Sequence, residues 1–125
     1  MKFGLTNLPW LAPAPADFKA RCKALGDDPK TGGMMFRQLA TYELNNNQLT
    51  RLYKALPPEG IDDSLRPLRL AILSNGTADF LKPTLTATGL RHGLALDVTE
   101  VPFAQVAQQV FDPKSSLYAA RPDVV

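Results

Sequence analysis

Leu68-Arg69-Leu70-Ala71-Ile72-Leu73 runs directly into Ser74-Asn75-Gly76-Thr77. A short, nearly continuous apolar run that ends at a polar turn and gives way to helical spacing reads as a buried parallel strand feeding a crossover helix. The spacing predicts that helix over 78–92, with Leu81, Leu85 and Thr88 on its apolar side. Thr77 is the natural N-cap, and Asp79 suits the positive end of the helix dipole. Pro83 implies a kink or a shifted start. Arg91, His92 and Gly93 then form a helix stop.

Downstream the pattern repeats. Leu94, Leu96, Val98 and Val101 mark a second strand over 94–101. Pro102 fits a first helical position, and Phe103, Val106, Ala107, Val110 and Phe111 form the stripe of another helix. Asp112-Pro113 ends it, 115–121 is a loop or a single turn, and Pro122-Asp123-Val124-Val125 opens a third strand. Strand, helix, strand, helix, strand implies parallel crossovers in a three-layer α/β sheet. The third strand breaks off short of the usual ~5–6 residues, so the chain is expected to be the leading piece of a longer protein. The sheet's remainder would come from that absent sequence, from a partner chain or from nothing, and an unpaired edge also allows a homodimer.

Upstream the periodicity is helical, which divides the chain into a helical segment, 1–64, packing on the sheet and a βαβαβ segment, 65–125. One helix is expected over 16–25, burying Phe18, Cys22 and Leu25. A second is expected over 33–42, with Met35, Phe36, Leu39 and Tyr42 on one face and Thr31 as a cap. A third begins at Asn46 or Asn47 and buries Leu49, Leu52, Tyr53 and Leu56. The fold class is thus α/β, a helical preface followed by an incomplete parallel βαβαβ sheet.

Composition narrows the function. In 125 residues the formal charge is +2, too small and too evenly spread to argue for nucleic acid or an anionic membrane. One cysteine and one histidine exclude an internal disulfide and a multi-cysteine zinc site, and make a two-histidine metal site hard to build. No apolar run reaches the ~20 residues of a membrane span, and prolines interrupt the N-terminus where a secretory signal would lie. The expectation is a cytoplasmic protein with a reduced thiol.

Ligands of open α/β sheets bind outside the carboxyl ends of the strands, which singles out Ser74, Asn75, Gly76 and Thr77 as the candidate ligand-binding turn. Gly76 permits positive φ, and free backbone N–H groups there suit an anion or carbonyl oxygen. Neither a Walker nor a dinucleotide glycine pattern occurs, nor any Asp-x-Asp pair. Asp62-Asp63 reads as a solvated loop, and His92 as the complement of a helix C-terminus at the far end of the sheet. Cys22 reads as a small buried hydrophobe, and Trp10 as an anchor for the N-terminal segment with a partner contact left open. Gln105, Gln108 and Gln109 read as a polar helix face.

Leu8-Pro9-Trp10-Leu11 with Asp17-Phe18, Asn47-Gln48-Leu49, 68–77, 101–107, and Phe111-Asp112-Pro113 through Arg121-Pro122-Asp123-Val124-Val125 together resemble the N-terminal part of FkbH-like proteins, subfamily IIIC of the haloacid-dehalogenase superfamily. The resemblance implies a cytoplasmic enzyme of polyketide and related pathways that removes phosphate from a phosphorylated glycerate and delivers the glyceryl unit to an acyl carrier protein. In that family the chemistry belongs to a Mg2+-dependent domain whose paired aspartates follow the region present here, so no cofactor is expected in this chain. The family's N-terminal region is similar to SGNH-type hydrolases, which implies an SGNH or flavodoxin-like sheet. Laid on this turn, the Gly-Asp-Ser motif of those hydrolases puts Ser74 at the glycine, Asn75 at the aspartate and Gly76 at the nucleophile. The nucleophile position then has no side chain; Ser74, the candidate catalytic residue, or Thr77 would have to reorient to substitute, and nothing in the sequence supplies a base. Three readings result: an accessory domain of a glyceryl-transferring enzyme, an SGNH-type esterase or acyltransferase segment using Ser74, and an interaction domain without a ligand.

Overall fold

A computed structural model describes residues 10–28, 30, 32–58, 60–102 and 104–125. Its sheet is built on two parallel strands, β3 (Arg66–Ile72) and β4 (Leu94–Glu100), paired from Arg66↔Leu94 to Ile72↔Glu100. Val124 bridges to Leu70 on the free side of β3, also in parallel, with Ala71 N–H donating to Val124 O at 2.9 Å. The first strand of the unit is therefore central, between β4 and the opening of the third strand. The α/β class and the parallel βαβ order read from the sequence are the observed ones, with Val124 adding a single further parallel bridge.

Helix α4 (Leu81–Arg91) crosses over one face, where Gly89 lies so close to β4 that a Cβ there would sit 2.7 Å from Leu96 Cδ1. Ala71 is out of phase with that face. It clusters instead with Val101 and with Leu117 of α6 (Ser116–Ala119), so helices flank both sides of the sheet. Between β4 and α6 lies α5 (Val106–Phe111).

The preface contains β1 (Ala12–Pro13), α1 (Phe18–Asp27), α2 (Gly33–Ala40), β2 (Tyr42–Glu43) and α3 (Asn46–Ala55). The main core joins it to the crossover helix: Phe18, Cys22, Phe36, Leu39, Leu49, Leu52 and Leu65 pack with Ala87 and Leu90 of α4. Helices α2 and α3 pack on α4 and reach the sheet through it. Arg91 ties the two segments by donating from Nε to Ala40 O at 2.8 Å and from the guanidinium to Tyr42 O at 3.2 Å. No described helix is long and apolar enough to cross a membrane.

Several local expectations are corrected. Helix α4 starts at Leu81, with Phe80 at the N-cap and no side-chain cap, so neither Thr77 nor Asp79 serves its first turn. The start places Pro83 among the first residues, whose N–H groups have no helical partner anyway. The buried face is Thr86, Ala87, Gly89 and Leu90 rather than Leu81, Leu85 and Thr88, because α4 must meet the preface and the sheet together. Met35 is 51% exposed, and Tyr42 has left the helix to pair with Ala12. The cap of α3 is Asn45, which closes a reciprocal capping box with Gln48. Pro102 precedes α5 instead of opening it, and no α5 residue is buried; Phe111 is 83% exposed. Trp10 is 74% exposed rather than seated against the described core, and the two-residue β1 is held by backbone pairing. Thr31, Phe103, Leu8 and Pro9 lie outside the described residues.

Candidate functional site

With the first strand central, the chain leaves β3 toward one face and reaches the third strand from the other. The loop after β3 thus sits at a topological switch point, where open α/β sheets form their ligand crevice. Ser74, Asn75, Gly76 and Thr77 occupy that loop, the last three exposed and Ser74 half-buried. Gly76 N–H donates to Ser74 Oγ at 3.0 Å, a local turn closed by the hydroxyl. Residues 78–80 separate the turn from α4, so the helix's free N–H groups are not part of it.

Beside this loop, Val101 N–H donates to Ile72 O at 3.0 Å and closes the carboxyl end of the sheet. Glu100, in register with Ile72, keeps Oε1 buried and without a hydrogen-bond partner among the described residues. The next loop carries Ala104 at φ 58°, a left-handed backbone on a residue with a Cβ.

As chemistry, the turn offers backbone N–H groups and a hydroxyl proton. Among the described residues no base is hydrogen-bonded to Ser74 Oγ, and no group of three His, Cys, Asp or Glu side chains is disposed to hold a metal. His92 is exposed at the C-cap of α4, the opposite end of the sheet. Cys22 is buried beneath α1, and that burial raises its thiol pKa against the opposing field of Arg51.

Two polar groups that the sequence left bland are structural. Asp62 accepts from Gly33 N–H at 3.0 Å and from the Ser64 hydroxyl and N–H, which hold its carboxyl below the usual range while it caps α2 from a distant loop. Gln109 receives Leu117 N–H at 3.1 Å and the Ser116 hydroxyl at 2.9 Å through Oε1, fixing α6 on α5. Neither contact has a local sequence signal.

The comparisons agree with this architecture. Residues 69–125 match the family model described as FkbH, N-terminal domain. The solved N-terminal part of the protein BF1531 from Bacteroides fragilis, containing a phosphatase domain complexed with Mg, shares the fold with a TM-score of 0.53 at 24% identity. The match covers 64% of this chain and 20% of that one, so this chain spans about a fifth of its length. No curated protein matches the chain. The matched stretch, residues 69–125, runs from within β3 through the crossover and β4 to the bridge at Val124, and is similar to the N-terminal domain of FkbH proteins.

Proposed function

We propose that this chain is a non-catalytic accessory segment of a cytoplasmic FkbH-like enzyme, of the haloacid-dehalogenase type, which dephosphorylates a phosphoglycerate donor and loads the glyceryl unit onto an acyl carrier protein. The observation that carries the non-catalytic part is the Ser74 hydroxyl, which closes its own turn and has no base bonded to it among the described residues. A serine nucleophile needs a partner within hydrogen-bond reach to take its proton. On this reading the Mg2+ of the reaction belongs to another domain of the longer protein; the described residues here gather no group of three His, Cys, Asp or Glu side chains. The Ser74–Thr77 turn then serves as one wall of a binding crevice, supplying N–H donors to an anion or carbonyl.

The test uses this chain and the longer FkbH-like protein side by side, with a phosphoglycerate, Mg2+ and a carrier protein. Phosphate release and a glyceryl mass increment on the carrier are expected from the longer protein alone. Ser74→Ala in the longer protein should change turnover by less than about twofold, because no proton transfer passes through the hydroxyl. Turnover by the 125-residue chain, or loss of activity in Ser74→Ala, would overturn the reading.

A further inference from the structure

Asn75 is followed by Gly76, and no other asparagine in the sequence precedes a glycine. The order matters because a backbone nitrogen can attack the side-chain amide carbon of the asparagine before it and close a succinimide ring. The attack requires the backbone to turn until nitrogen and carbon meet, and glycine is the residue least hindered in doing so. Both residues are exposed and lie between β3 and α4, outside any described helix or strand. Space around Gly76 is open: beyond its chain neighbours, a Cβ there would meet only Ser74 Oγ, at 3.7 Å.

The other described asparagines are held. Asn45 Oδ1 accepts Gln48 N–H at 2.9 Å in the capping box of α3. Asn46 and Asn47 form the first turn of that helix, and the residues after them carry side chains. At Asn75 a single contact restrains the reaction. Gly76 N–H, on the nitrogen that must lose its proton to attack, donates to Ser74 Oγ at 3.0 Å. While that bond holds, the proton is occupied and the turn stays closed.

We propose that Asn75 is a site of spontaneous deamidation, latched by the Ser74 hydroxyl. Gly76 N forms a bond to Asn75 Cγ as the Cγ–Nδ2 bond breaks, and the proton of that nitrogen leaves with the amide as ammonia. Water then opens either carbonyl of the succinimide and yields aspartate or isoaspartate. Each event takes up one water, releases one ammonia and adds one negative charge to the turn. Isoaspartate also lengthens the main-chain path by a methylene at the switch point. Where the turn offers its N–H groups to an anion, as in the function above, the new carboxylate opposes that anion; the reaction itself does not depend on that reading.

The test incubates the 125-residue chain in neutral and mildly alkaline buffer and follows its tryptic peptides by mass spectrometry. Cleavage after Arg69 and Arg91 isolates Asn75 in a peptide with no other asparagine. Amide-to-acid conversion with isoaspartate is expected there first, ahead of the peptide carrying Asn45, Asn46 and Asn47, and faster in the alkaline buffer. Ser74→Ala should convert about two- to tenfold faster, the range set by loss of one exposed hydrogen bond. Ser74→Thr keeps the latch and should stay close to wild type. Gly76→Ala should convert more slowly while remaining folded, since Gly60 and Gly93 are the described glycines at positive φ and Gly76 is not. In urea, where the latch is gone, wild type and Ser74→Ala should converge. Conversion at Asn46 or Asn47 ahead of Asn75 would overturn the proposal, as would an Asn75 that persists while a free Ser-Asn-Gly-Thr peptide converts. So would a Ser74→Ala rate equal to wild type in the folded chain, or a difference that survives in urea.

Discussion

Arg91 joins the helical preface to the βαβ unit, and its removal is the sharpest test of how the two segments cohere. Its guanidinium donates to Ala40 O and Tyr42 O, both near a core in which Ala40 is completely buried. A hydrogen bond from a charged donor contributes ~1.5–3 kcal/mol net, and an acceptor left unpaired inside the protein loses its solvation as well. Two bonds on one side chain are not additive, so Arg91→Met, which keeps an apolar stem, should cost about 2–4 kcal/mol. Against a total stability of ~5–15 kcal/mol for a domain this is a large fraction. With a urea slope of ~1–3 kcal/mol per molar, the midpoint should fall by roughly 1–2 M. Arg91→Lys, which keeps the charge but can serve only one carbonyl well, should fall between wild type and the methionine variant. Urea unfolding followed by far-ultraviolet circular dichroism is the assay, since the exposed Trp10 reports poorly on packing. A methionine variant within about 0.5 kcal/mol of wild type would refute the claim that these bonds hold the segments together.

Two further outcomes are expected. Asn45→Ala opens the capping box of α3 and should destabilise by ~1 kcal/mol, with Gln48→Ala costing less; equal urea midpoints for wild type and Asn45→Ala would contradict the reciprocal cap. Asp62, held below its ordinary value of 3.8 by the Ser64 hydroxyl and by the N–H groups of Gly33 and Ser64, contributes stability that is complete above that value and lost as pH falls through the lowered one. Acid unfolding of Asp62→Asn should therefore be less steep below pH 3.8, and parallel acid curves for variant and wild type would exclude the linkage.

The strand at 68–73 and the stop at Arg91-His92-Gly93 were legible because each depends on local chemistry: continuous apolarity for one, a glycine at φ 77° for the other. The start of α4 was not, because the strong capping type at Thr77 competes with the constraint of Pro83, and packing decided for the proline. Helix faces failed where partners were nonlocal. The apolar stripe of α5 is real in sequence yet finds no core among the described residues, while Gly89, unremarkable in a helix, is where α4 and β4 touch. For the candidate site, sequence identified the turn and its hydroxyl. Its neighbours, the unpaired Glu100 Oε1 and the switch-point geometry, depend on which side of β3 the third strand joins, and no local pattern encodes that.

Arg69 carries a consequence of that joining. Its N–H reaches one Asp123 oxygen at 2.9 Å and its guanidinium the other at 3.1 Å, while its carbonyl receives Asp123 N–H at 2.8 Å. One residue pair thus fixes the alignment of the arriving strand through backbone and side chain together. Drift in the identity of Val124 and Val125, or in the length of the connection that precedes Pro122, can therefore accumulate without sliding the sheet, whereas a shift of Asp123 by a single place would send every later side chain to the wrong face.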